Sequence, residues 1–165
     1  MTARAGRRGA AKGEWGGGWG PGGKPERLRA GKLAVGQTFE TVVVTDLKRT
    51  QIVQYAGASG DYNPLHTDEI YATKIAGYPS VFAHGMLTMG LTGQAIAGLA
   101  GTESLVRFGV RFTAQVWPGD TLTVRTSVER ITETEGGPVA EFAVSTVNAE
   151  GREVLSGYAH AQVAD

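Results

Sequence analysis

At 165 residues, 41% hydrophobic and 8% aromatic, the chain has the length of one domain and enough apolar surface for a core. Its formal charge of zero divides unevenly: the first 32 residues carry eight Lys/Arg against Glu14 and Glu26, while residues 33–165 carry eight basic and fourteen acidic side chains, and that acidic body excludes broad nucleic-acid binding. The absence of cysteine excludes disulfides and a thiol nucleophile, and with no apolar run of ~18 residues and no secretory h-region, neither a membrane helix nor export is expected and the cytoplasm is the expected location.

The first thirty residues hold nine glycines, with Pro21 and Pro25, and their only spaced apolar pair is Trp15 and Trp19. Such a segment buries too little to offset its ordering entropy, so residues 1–31 are expected to form a flexible Gly/Arg-rich extension ahead of a body at 32–165. Thr38 to Thr45 is rich in β-branched residues and predicts a strand, after which Thr45-Asp46 offers a turn or a helix cap. Arg49 to Ala58 predicts a helix that ends near Gly57 and Gly60. Asn63-Pro64 then disfavours continued helix, which places Asp61 and His66 on a shaped loop. Thr67 is the expected cap of a short helix from Asp68 to Ile75, broken by Gly77-Tyr78-Pro79.

Gly85 to Leu99 is apolar nearly all round, as a core helix is, and its glycines would let a sheet approach the helix backbone. Four strand-like runs follow, Ser104–Phe112, Thr121–Ile131, Val139–Asn148 and Glu153–Val163, separated by Gly/Pro-bearing or Gly-bearing turns. Thr121 to Val128 alternates apolar and polar, the mark of an antiparallel strand with one wet face. The expected architecture is a single α+β domain in which a curved antiparallel sheet wraps one buried helix.

Asp61 and His66 put a carboxylate and an imidazole on one turn-rich segment, a candidate pair for proton transfer. The competing reading is an Asx-turn that only satisfies backbone N–H groups. If a helix starts at Gly85, its N–H is an unsatisfied donor at the positive end of the helix dipole, and a glycine lets an oxyanion approach. With no cysteine and only His66, His84 and His160, no ligand set at metal-binding spacing is visible, so no metal and no cofactor is expected.

The run Ser59-Gly60-Asp61-Tyr62-Asn63-Pro64-Leu65-His66, followed at a distance by Ala83-His84-Gly85-Met86-Leu87, resembles the signature of the MaoC-like (R)-specific enoyl-thioester hydratases and dehydratases. The resemblance extends from about Lys32 to the C-terminus, through Arg107–Phe112 and Val116–Asp120, and it leaves out the first thirty residues. It implies a hot-dog fold and reversible hydration of trans-2-enoyl-thioesters, on CoA or an acyl carrier protein, to (R)-3-hydroxyacyl-thioesters. It further implies Asp61 and His66 as the catalytic dyad and the Gly85 N–H as the oxyanion donor. The residues leave open which dyad member takes the proton from water.

Asn63 and His84 are expected in supporting roles, Asn63 by shaping the loop and His84 by bonding to backbone, and His160 is expected to be structural. Within the family, the chain is similar to the catalytic subunit of actinobacterial 3-hydroxyacyl-thioester dehydratases. A homodimer, or a heterodimer with a homologous hot-dog subunit, is the expected assembly. The alternatives are a non-catalytic thioester-binding subunit, which typically lacks one dyad member, and a hot-dog thioesterase, which usually carries a single carboxylate on or near the central helix. Some relatives place a hydroxyl on the central helix two turns after the glycine; this chain has Gly93 there, with Thr88 and Thr92 as candidate substitutes.

Overall fold

The computed structural model describes residues 28–164, so most of the expected N-terminal extension lies outside the described residues. Five strands form one antiparallel sheet: β1 (Thr38–Val44), β2 (Leu105–Phe112), β3 (Leu122–Thr132), β4 (Val139–Asn148) and β5 (Glu153–Gln162), in the order β1-β3-β4-β5-β2. Among the described residues three α-helices accompany it: α1 (Arg49–Ser59), α2 (Pro64–Thr67) and α3 (Gly85–Ala100). The strand bounds follow the sequence pattern because alternation and turn residues act locally. In β3, Leu122, Val124, Thr126 and Val128 are buried while Arg125 is exposed.

The sheet packs against one face of α3, whose buried positions Thr88, Thr92, Ile96 and Ala100 recur every fourth residue. The opposite stripe, Met86, Gly90, Gln94 and Gly98, is exposed, so the helix is buried along one side and not all round. Gly93 provides the close approach: a Cβ there would stand 3.3 Å from the ring of Phe108 on β2, whereas one at Gly90 would meet nothing within 4 Å. Ile96, Val124, Val128 and Phe142 centre one apolar cluster; Leu47, Ile52, Val116 and Leu155 centre a second, nearer the N-terminus of α3. Each buried side chain of this size contributes about 1.5–3 kcal/mol.

Several local expectations are corrected. Of the turn or cap expected at Thr45-Asp46 the turn is found, Asp46 being left-handed at φ 56°, while the start of α1 is capped by Gln51, whose Oε1 accepts from the Lys48 N–H at 2.8 Å. His66 sits on the helical turn α2 rather than on a loop, because Pro64 begins that turn, where its fixed φ suits a helix and its missing N–H has no partner to lose. The next turn, Tyr71–Ile75, is π-helical and is capped by Asp68, whose Oδ1 accepts from the N–H groups of Ile70 and Tyr71; Thr67 ends α2 instead. At the other end, Leu28 and Ala30 pair with Ala164 through two backbone hydrogen bonds and pack on the core, so ordered contacts begin ahead of Lys32.

Candidate active site

The site is assembled by a sharp reversal after α1. Gly60, at φ 76°, takes a left-handed conformation that L side chains rarely adopt, and its N–H closes α1 on Ala56 O at 3.0 Å. The following turn is stitched by its own side chains. Ser59 Oγ accepts from the Asp61 N–H, Asp61 Oδ1 from the Asn63 N–H at 3.2 Å, and Asn63 Oδ1 from the Leu65 N–H at 3.0 Å. Asn63 is thus the N-cap of α2, and one Asp61 oxygen also serves its own Asx-turn.

His66 is pinned from across the chain. Its Nδ1–H donates to Phe82 O at 2.7 Å, and the Phe82 N–H in turn donates to Leu65 O at 3.3 Å, so α2 and the segment before α3 are tied in both directions. A carbonyl only accepts, which places the His66 proton on Nδ1 and leaves Nε2 with a free lone pair. Burial lowers the basicity of His66, and the neighbouring His84 lowers it further, against the opposing effects of the Phe82 bond and the Asp61 charge.

His84, the N-cap of α3, is 2% exposed, and its Nε2–H donates to Asp61 O at 3.0 Å. Its ring stacks on His66 with centroids 3.8 Å apart. The fold therefore gathers three groups that are dispersed in the sequence: ligand-capable atoms of Asp61, His66 and His84 lie within 4.8 Å of one another. The sequence shows no ligand set at metal-binding spacing, and it is the fold that brings these three potential ligands together. The two imidazole rings are stacked with planes only 29° apart, however, so their lone pairs lie in two nearly parallel planes and not in a common plane around one ion.

Gly85 follows His84 directly and opens α3, and its N–H has no backbone partner among the described residues. Beside it lies a cavity of about 340 Å³ lined by Phe82, Gly85, Thr88, Phe112, Gln115 and Val116. The hydrogen bond from the Ala83 N–H to Val116 O, 2.8 Å, holds the cavity's far wall against the start of α3. Neither this cavity nor a larger depression of about 410 Å³ over Gly109, Arg111, Gly157 and Tyr158 is lined by Asp61 or His66; the smaller one is the chemical candidate because its wall includes Phe82, the hydrogen-bond partner of His66, and Gly85, the residue after His84.

The hydroxyls on α3 divide clearly. Thr92 Oγ1 donates to Thr88 O at 2.9 Å and pairs with Thr146 Oγ1 at 2.7 Å, both threonines being fully buried, so Thr92 is committed to the core. Thr88 lines the cavity. His160 lies on β5 beside Tyr158, away from these groups. Sequence reasoning did not single out Phe82 or Phe112: one acts through a backbone carbonyl and the other through proximity to a glycine, and neither leaves a residue-type signal.

The profile described as "MaoC like domain" matches residues 31–149. The chain is 41% identical over 95 residues to 3-hydroxyacyl-thioester dehydratase Y of Mycobacterium tuberculosis, an alignment covering 52% of this chain and 33% of the relative. It is 36% identical over 103 residues to a peroxisomal enoyl-CoA hydratase 2 of Arabidopsis thaliana, covering 61% of this chain and 30% of that one. The chain thus spans about a third of the length of these curated relatives. Among solved structures, R-hydratase PhaJ1 of Pseudomonas aeruginosa superposes with a TM-score of 0.73 at 29% identity, covering 84% of this chain and 87% of that one.

Proposed function

This chain belongs to the MaoC-like domain family, and on that premise we propose that it catalyses the reversible hydration of trans-2-enoyl-thioesters to (R)-3-hydroxyacyl-thioesters. The observation that carries the reading is the pair formed by Asp61 and a His66 whose Nδ1–H is spent on Phe82 O, next to a cavity lined by Phe82 and Gly85, the Gly85 N–H having no backbone partner among the described residues. In hydration, His66 Nε2 takes a proton from a water held by Asp61 while the water oxygen bonds to C3. The C2=C3 electron pair moves toward C2 and the thioester oxygen becomes an enolate, which the Gly85 N–H and the α3 dipole stabilise. The imidazolium then returns the proton to C2 and the carbonyl re-forms. Water is consumed, no other reactant enters, and dehydration is the reverse.

Two further features support this assignment of the base. The lowered basicity of His66 favours the neutral imidazole that can accept a proton, and Asp61 stands close enough to stabilise the cation formed. Asn63 shapes the loop as the N-cap of α2, and His84 supports it from outside the reacting atoms. The substrate carrier is CoA or an acyl carrier protein, and the assembly a dimer of hot-dog subunits, either two copies of this chain or this chain with a homologue.

Incubation with enoyl-CoAs of increasing length, read as loss of enoyl-thioester absorbance, tests the activity. Because Asp61 and His66 hold one water on one side of the substrate, reaction in heavy water should give syn addition. The R-hydratase relative predicts the (R) product. Anti addition would remove the shared-water mechanism, whereas a syn (S) product would remove only the inferred hand.

A further inference from the structure

His84 touches all three parts of the proposed machinery. Its Nε2–H donates to the main-chain carbonyl of Asp61 at 3.0 Å, its ring lies against that of His66 with centroids 3.8 Å apart, and its own main chain leads straight into Gly85 as the N-cap of α3. It is 2% exposed, and its Nδ1 is buried without a hydrogen-bond partner among the described residues. A buried polar atom left unpaired carries a desolvation cost, and a histidine kept only for packing could be replaced by an apolar ring without it. Tyr55 of α1 closes the pocket with a ring 5.0 Å from that of His84.

Resting on the hydratase reading, we propose that His84 is the positioning residue of this site: one ring sets the main chain of the water-holding acid, the plane of the base and the start of the oxyanion helix. The three reacting groups then share one rigid reference. A misplacement of about 1 Å can cost ~10²-fold in rate, so this common anchor bears directly on kcat. The groups that act electrostatically on His66 are Asp61, which favours the imidazolium, and His84, which opposes it. Replacing His84 removes the opposing partner, which makes His66 more basic.

Two substitutions separate the contacts. His84→Gln keeps a donor near the Nε2 position and loses the stacked ring; His84→Phe keeps a ring and loses the donor. Each is expected to fold, to lower kcat by roughly 10- to 100-fold with little change in KM, and to move the acid limb of the kcat profile to higher pH. Folded variants with the wild-type kcat and the wild-type acid limb would overturn the proposal, because a purely structural residue changes the amount of folded enzyme and not its pH profile. If neither variant folds, nitrogen NMR of ¹⁵N-histidine-labelled wild-type protein decides: Nε2–H on His84 with Nδ1–H on His66 supports the anchor, and the opposite tautomers overturn it. Failure of the wild-type protein to hydrate any enoyl-CoA would instead overturn the hydratase reading.

Discussion

The ring of Phe112, at the end of β2, lies against Gly85 so closely that a Cβ built on the glycine would stand 3.2 Å from three of its carbons. Gly85→Ala would therefore force the ring to shift and would place a methyl group beside the N–H proposed to bind the thioester oxygen. The expected loss in kcat approaches the ~10²–10³-fold seen when one oxyanion donor is removed. Adding Phe112→Leu should recover the melting temperature but not the rate. Full recovery of kcat in the double variant would mean that the glycine serves packing alone.

Asp61→Asn and His66→Ala should each lower kcat by roughly 10²–10⁴-fold while leaving the fold intact, since Asp61 is exposed and His66 only partly buried. Steady-state kinetics of the double variant provide the stricter measurement. If the two groups handle one water together, the double loss resembles the larger single loss, and a product of the two losses would show that they act independently.

The pH dependence follows from His66. Burial, then the proximity of His84, hold its basicity below that of an ordinary histidine, about 6.5, so the lone pair on Nε2 stays available to a lower pH than in a free imidazole. Hydration kcat/KM should be level above the His66 pKa and fall as pH drops through it. No alkaline limb is expected near neutrality, because the acid that protonates C2 is made in the reaction from the proton taken from water. The stability effect has the same sign. Between the folded pKa and the unfolded value the unfolded chain binds more protons, so stability falls as pH falls across that window, and less so in His66→Asn. A bell-shaped profile centred near neutrality would point to a second, initially protonated group.

The sheet ends in β1 on one side and β2 on the other, and β2 carries Val106, 66% exposed, along its outer run. An unpaired edge of this kind invites a second sheet. If two copies of this chain pair, light scattering should give twice the 17.3 kDa chain mass, and Val106→Glu should shift the population toward monomer. A fully active monomer at micromolar concentration would show that the edge is tolerated as it stands.

What the sequence determined by itself was local. Period-two alternation and Gly- or Pro-bearing turns marked β3 and β4 to within a residue, and the Ser59–His66 and Ala83–Leu87 runs carried both the family and the candidate groups, because strand propensity, turn chemistry and motif spacing all reside in near neighbours. Tertiary structure decided how those groups are held. His84 reaches Asp61 across 23 positions, His66 reaches Phe82 across 16, and Thr92 finds Thr146 across 54. Two of those three contacts end on a main-chain carbonyl, which every residue possesses, so no residue type announces them. Packing of α2 and the N-terminus of α3 against each other selects which carbonyl each imidazole meets, and hence which nitrogen is left free to accept a proton.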